Sequence, residues 1–476
     1  MRALIALLVF AAPFSVSRAA EEPVKPDPLV GFWFGTLQVG PIKLRLAFAV
    51  TQTDGVLGAK LDSLDQGARN LPFSSVDNKD GRVSIANNAI GVTFTAKLSA
   101  DGKTLTGDWE QGKQKLPLTM ARVDRMPVDK RPQTPKPPYP YAAEDVTFEN
   151  AAAKVTLAGT LTLPKGDGPF PAVVLVSGSG PQDRDESLFG HKPFLVLADH
   201  LTRQGIAVLR YDDRGVAKST GTHAGATTAD FATDAAAAVA YLHGRKEIDA
   251  KRVGIAGHSE GGLIAPIVAA DHPEQVAFIV LMSGTGLPGH AVIDRQRADL
   301  LKASGAKPET IALYKTMYAK LLPVLGGPDT VQERKDKITA VVKATADAMT
   351  DELKAATGLA APEVAKQVAD ALTAPWMMAF LAYDPVTTLK RVKCPVLALN
   401  GTLDLQVAAD ENLPAIEAAL KAGLNPPAKF VALPGLNHLF QPAKTGAVDE
   451  YPQIETTFDV AAMKLIAEWV LQVRPR

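Results

Sequence analysis

Apolar and polar positions follow three successive patterns along the chain, and each predicts a different architecture. From about residue 27 to 124, short runs alternate: Gly31-Phe32-Trp33-Phe34-Gly35-Thr36-Leu37, Ile42-Lys43-Leu44-Arg45-Leu46-Ala47-Phe48, Arg82-Val83-Ser84-Ile85 and Val92-Thr93-Phe94-Thr95-Ala96. Turn residues such as Asp54-Gly55 and Asp101-Gly102 separate the runs. A period of two punctuated in this way predicts a small antiparallel β-sandwich or barrel. Trp33 and Trp109 could line a ligand groove there, but in so small a domain core packing is the expectation.

Residues 125–142 break the pattern with Pro127, Pro132, Pro135, Pro137, Pro138 and Pro140 among lysines and arginines. That composition favours extended polyproline backbone, so a stiff linker is expected. A second domain is then expected over 143–476. Here apolar strands alternate with amphipathic helices: Ala172–Val176, Ala207–Tyr211, Ala277–Met282, Pro395–Leu399 and Lys429–Leu433 read as buried strands. Helical spacing covers Phe194–Gln204, Ala229–Arg245 and Thr457–Val473. Such alternation implies right-handed crossovers and a mostly parallel sheet with helices on both faces. Between about 288 and 390 the strands stop and the pattern is helical, broken at Pro308, Gly326-Gly327-Pro328 and Pro362. An insertion of that size between sheet strands predicts a helical cap.

The chemistry centres on Val253-Gly254-Ile255-Ala256-Gly257-His258-Ser259-Glu260-Gly261-Gly262. An apolar strand enters a Gly-x-Ser-x-Gly pentapeptide and leaves as a helix, which predicts a nucleophile elbow with Ser259 at its tip. Gly257 and Gly261 are expected where a Cβ would collide with neighbouring backbone. A serine hydroxyl is a weak nucleophile and needs a base and an orienting acid. On this fold they should follow in the order serine, acid, histidine, in loops after later strands. Asp404 follows the strand ending at Leu399, and His438 follows the strand ending at Leu433. Asp410 and Glu411 are the fallback acids. The oxyanion is expected to meet the backbone N–H of Glu260 and that of Ser179, with Gly180 second, in the turn Ser177-Gly178-Ser179-Gly180. The charges of Asp183-Arg184-Asp185 and Asp212-Asp213-Arg214 are expected to lock loops. This chemistry calls for no cofactor and no metal.

Composition narrows the partners. The 476 residues carry 51 Lys+Arg against 51 Asp+Glu, a net charge of zero. Nothing there points to nucleic acid. The first twenty residues pair Arg2 with the apolar run Ala3–Pro13 and then Ser17-Arg18-Ala19, the pattern of an export signal peptide. A periplasmic or secreted location and no membrane span after cleavage are therefore expected. Cys394 is the sole cysteine. It excludes an intramolecular disulfide and reads as a small buried hydrophobe.

Together these motifs resemble the α/β-hydrolase superfamily from Ala143 onward. Ser177-Gly178-Ser179-Gly180-Pro181-Gln182-Asp183-Arg184-Asp185, Arg210-Tyr211-Asp212-Asp213-Arg214-Gly215 and the elbow resemble exported two-domain bacterial serine esterases with an N-terminal β domain. Trp33-x-Gly35-x-Leu37 and Leu61-Asp62-Ser63-Leu64-Asp65-Gln66-Gly67 extend the match into the β domain. The resemblance implies hydrolysis of small-molecule carboxylic esters, usually of short acyl groups. Aminopeptidase, acyltransferase or thioesterase activity on the same triad, or an inactive binding protein, are the alternatives.

Overall fold

Alternating side chains can bury one face of a sheet only if the strands share a common core, and each of the chain's two compact units has its own. The first is built mainly from residues up to Pro127 and the second from Val128 to Arg476. The computed structural model describes residues 26–474 except 40, 41, 67, 113, 128, 129, 426 and 427. The expected signal peptide lies outside the described residues.

The first unit is one nine-stranded antiparallel meander: β1 (Gly31–Val39), β2 (Ile42–Thr53), β3 (Val56–Ser63), β4 (Ala68–Pro72), β5 (Ser75–Lys79), β6 (Arg82–Asn87), β7 (Val92–Leu98), β8 (Thr104–Gln111) and β9 (Gln114–Val123). Its spatial order runs β4-β3-β2-β1-β9-β8-β7-β6-β5. The two outermost strands are therefore consecutive in sequence. Phe73 N–H bonds to Ala59 on one side, and Ser74 N–H to Ala86 on the other, so the meander curls into a barrel. Trp33, Phe48, Ile85, Phe94 and Leu105 fill it, all fully buried. Trp109 stacks on Phe48, and the Trp33 indole donates to Leu29 O at 2.9 Å. Both tryptophans are core residues.

The second unit holds β10 (Ala142–Asn150), β11 (Val155–Leu163), β12 (Phe170–Val176), β13 (Ala207–Tyr211), β14 (Ile248–His258), β15 (Phe278–Met282), β16 (Val396–Gly401) and β17 (Ala428–Leu433). They form one sheet in the order β10-β11-β13-β12-β14-β15-β16-β17. β11 is antiparallel to both of its neighbours, and every pairing from β13 to β17 is parallel. Strands buried on both faces supply alternate side chains to two cores. Ala172, Val174 and Val176 belong to a core shared with α2 (Thr228–His243), α3 (Gly261–Asp271) and α11 (Ala409–Ala422), whereas Val173 and Leu175 belong to one shared with α1 (Pro193–Arg203) and α12 (Val460–Gln472). Cys394 is buried in the first of these cores.

Two boundaries differ from the sequence reading. The stretch expected to be a stiff linker from 125 to 142 is also bonded to the second unit: the Arg131 guanidinium donates to Pro452 O at 2.8 Å and Ile454 O at 3.1 Å. Gln133 likewise bonds the backbone of Thr457 and Phe458. Side-chain bonding, which proline content does not reveal, straps the stretch from residue 130 onward to the second unit. The cap comprises α4 (Gly289–Ala303), α5 (Pro308–Leu325), α6 (Val331–Asp347), α7 (Asp351–Thr357), α8 (Val364–Leu372) and α9 (Pro375–Ala382) around Leu321, Ile338 and Val342. The following α10 (Pro385–Leu389) already belongs to the sheet domain, because Leu389 packs into its core. Among the described residues no helix is long and apolar enough to cross a membrane.

Candidate active site

β14 ends at His258 and α3 starts at Gly261, leaving two residues to reverse the chain. Ser259 does so at φ +53°, a left-handed conformation that non-glycine residues avoid. Its N–H is pinned to Met282 O at the end of β15 at 2.9 Å. A Cβ on Gly257 would stand 1.9 Å from Gly261 O, and one on Gly261 would stand 2.2 Å from Val176 O. Both positions therefore require glycine, and the side chain that projects from the elbow is Ser259.

The turn after β12 lies directly against this serine, since a Cβ on Gly178 would come within 3.2 Å of Ser259 Cβ. The Ser179 and Glu260 N–H groups donate to no protein acceptor among the described residues. Gly180 turns the chain at φ +92°.

Asp404 and His438 lie 34 residues apart, yet the neighbouring strands β16 and β17 bring them together. The His438 Nδ1 meets Asp404 Oδ2 at 2.8 Å. Asp404 Oδ1 accepts the N–H groups of Gln406 and Val407, each at 2.9 Å. Burial works to raise the Asp404 carboxyl, but the His438 imidazole and those two N–H groups outweigh it and hold the acid below its ordinary value. With Nδ1 engaged, Nε2 is the nitrogen left to act as base. The His438 loop is fixed by Asn437, whose Oδ1 accepts the Leu439 and Gln441 N–H groups at 3.0 Å. The fallback acids lie elsewhere: Asp410 and Glu411 both bind Arg295 of α4.

The charged loop residues pair across loops. Arg184 holds Asp212 at 2.7 Å, Asp185 holds Arg210 and Lys192, and Arg214 holds Asp234 at 2.6 Å. Asp213 is different. It accepts the Ser177 hydroxyl at 2.9 Å and the Gln182 N–H at 3.0 Å, and burial pushes it up to about 7.

Two further groups carry no signal that the motif reading used. Glu260 Oε1 accepts the Thr228 hydroxyl at 2.6 Å and the Trp376 indole N–H of α9 at 2.7 Å, so a cap residue bonds the residue after Ser259. Burial raises the Glu260 carboxyl. His258, inside the elbow motif, bonds Glu186. Only the histidine's position in the pentapeptide could have drawn attention to that pair. A cavity of about 10 Å³, the size of one water, sits between Ser177, Gly178, Asp213 and Glu260. A far larger one of about 1140 Å³ lies inside the cap, walled by Leu300, Leu313, Met317, Leu321 and Leu372.

An elbow after the central strand of this sheet order, with an acid and a histidine after β16 and β17, defines the class: the second unit has the α/β-hydrolase fold. A family model described as serine aminopeptidase, S33, matches residues 192–419. Esterase EstD of Thermotoga maritima is 33% identical over 197 residues, which is 40% of this chain and 45% of the relative. A triacylglycerol lipase of Pseudomonas fragi is 36% identical over 84 residues, 17% of this chain and 28% of the lipase. The chain thus spans less than half the length of either relative. Among solved structures, an esterase of Pyrococcus furiosus aligns at TM-score 0.42 and 18% identity, over 70% of this chain and 92% of that one.

Proposed function

We propose that the protein is a serine hydrolase that cleaves carboxylic esters. Support for this reading comes from the buried Asp404–His438 pair, whose histidine carbonyl is bonded to His258, the chain neighbour of a serine held at φ +53° on an elbow. His438 Nε2 takes the Ser259 proton as Oγ attacks the ester carbonyl. The resulting oxyanion is met by the Glu260 and Ser179 N–H groups. The imidazolium then protonates the leaving alcohol, and water, activated by the same histidine, releases the acyl group. Asp404 holds the imidazole in the required tautomer throughout. The esterase and lipase relatives support ester cleavage as the reaction.

The test compares hydrolysis of p-nitrophenyl acetate and butyrate by the native protein and by Ser259→Ala, alongside labelling with a fluorophosphonate. Loss of turnover in the variant and a single adduct on the Ser259 peptide are expected. Equal rates for the two proteins, with no adduct, would sink the reading in favour of a binding protein. Short acyl groups are the expected substrates, and the cap cavity makes chain length the informative variable. A rate maximum at eight or more carbons would assign that cavity to the acyl chain instead.

A second reading is an aminopeptidase, as the description of the matching family model suggests. Asp213 and Glu260 wall the small cavity beside the turn and could anchor a substrate amine. Aminoacyl p-nitroanilides assayed against p-nitrophenyl esters separate the two, and a higher kcat/KM on the amides would favour the peptidase. Export remains a separate proposal, resting on residues 1–20. N-terminal sequencing of the mature protein should begin at Ala20 and would refute export if it began at Met1.

A further inference from the structure

We propose that Glu186 and His258 form a positioning pair that holds the oxyanion turn and the His438 loop in register with Ser259. The proposal rests on the esterase reading above. Three hydrogen bonds run in series through the two side chains. The Gly178 N–H donates to Glu186 Oε1 at 2.8 Å, His258 Nδ1 meets the same oxygen at 2.8 Å, and His258 Nε2 meets the backbone carbonyl of His438 at 2.9 Å. Each end of this series is one residue or less from a working group. Gly178 precedes Ser179, whose N–H is the second oxyanion donor, and His258 precedes Ser259. The last bond falls on the main chain of the catalytic histidine itself.

The proton count makes this more than a satisfied core histidine. A carbonyl can only accept, so Nε2 must carry a proton, and a carboxylate on the other side requires one on Nδ1 as well. With Glu186 ionised, His258 is an imidazolium paired with a carboxylate, both almost fully buried at 6% and 3% exposure. Burial opposes the charge, but Glu186 and the His438 carbonyl outweigh it, and the histidine is raised above its ordinary value. Asp404 and the His438 ring, 4.8 Å away between centroids, also face it, as does Phe440. Asp213 lies near enough to Glu186 to feel its charge. A buried ion pair is a poor way to gain stability when apolar side chains could fill the space, and its best-attested use is to fix register. Glu186 is itself held at φ +52°, with its N–H on Asp183 O at 2.9 Å, so the carboxylate is presented from a constrained turn.

The test uses the full-length protein with p-nitrophenyl butyrate as probe, comparing the native chain, Glu186→Gln, His258→Asn and the double variant. Each single variant is expected to lower kcat roughly tenfold to a hundredfold with KM within about threefold. The double variant should be no slower than the worse single, because the two residues act as one unit. Independently of turnover, ¹⁵N NMR of Ser259→Ala should show both His258 ring nitrogens protonated near neutral pH. Glu186→Gln in that background should leave one. Folded single variants with kcat within twofold of native, losses that multiply in the double variant, or a singly protonated His258 would each overturn the pair. Should Glu186→Gln melt below assay temperature, Glu186→Asp, which keeps the charge, should recover part of kcat; a folded Glu186→Asp no better than His258→Asn overturns the proposal. Equal rates for native protein and Ser259→Ala would refute the esterase reading instead, and the NMR result would still decide whether the pair exists.

Discussion

Asp404 is the residue whose replacement separates orientation from chemistry. In Asp404→Asn the shape is kept, but the side-chain acceptor facing His438 Nδ1 can become a donor and the imidazole can take the wrong tautomer. We expect kcat on p-nitrophenyl butyrate to fall about a thousandfold or more with the fold intact; a loss under tenfold would remove Asp404 from the triad. His258 makes a different prediction, about stability. A group whose folded value is raised stabilises fully below the ordinary histidine value of about 6.5, and that contribution disappears as pH rises through the folded value. The melting-temperature advantage of the native protein over His258→Asn should therefore shrink from pH 6 upward. Asp213, also raised, is present in both proteins and cancels in the difference. A flat difference between pH 5 and 9 would mean that His258 does not carry the charge assigned to it. At this scale the sequence was legible where order along the chain constrained chemistry: the loops after β16 and β17 were expected to supply Asp404 and His438, and these two side chains meet at 2.8 Å. Glu186 was not legible, because its partner lies 72 residues on and only the adjacency of β12 and β14 joins them.

Elements were legible where period and burial agreed. β12, with Val173 and Val174 facing opposite cores, reads as an unbroken apolar run, as a strand buried on both faces must. Docking of the linker was not legible, because proline content describes backbone stiffness and says nothing of Arg131 and Gln133 bonding by side chain. The elbow gives the sharpest test of an element. Gly261→Ala places a Cβ 2.2 Å from Val176 O, where main chain cannot yield cheaply. We expect a loss of about 3 kcal/mol or more, seen as a lower denaturation midpoint or insoluble protein. Normal stability would show that α3 can slide away from β12. Trp376→Phe should act more gently. It removes one of the two donors to buried Glu260 Oε1, at a cost of roughly 1–3 kcal/mol. Unchanged melting and unchanged kcat would mark that bond as idle.

At the scale of the whole molecule, every group placed at the site comes from between Ser177 and His438, while the barrel of β1 to β9 encloses an apolar core of its own. A chain starting at Val128 should accordingly retain hydrolysis of p-nitrophenyl acetate within about tenfold, a barrier change of roughly 1.4 kcal/mol. A truncated protein that melts normally yet has no activity would show that the barrel supplies part of the site. The two-unit division was legible from the switch between periods of two and alternating strand-helix runs, but closure of the barrel was not, since it depends on which strands end up last in the sheet. The indole bond from α9 to Glu260 also bears on how such a fold can be rebuilt. A cap that shares a hydrogen bond with the residue beside Ser259 is not an interchangeable module. Grafting another cap onto this sheet, or moving this one, would strand the buried Glu260 carboxyl beside Ser259 unless an indole or equivalent donor travels with the graft, so change in this region is constrained to proceed within the cap rather than by its exchange.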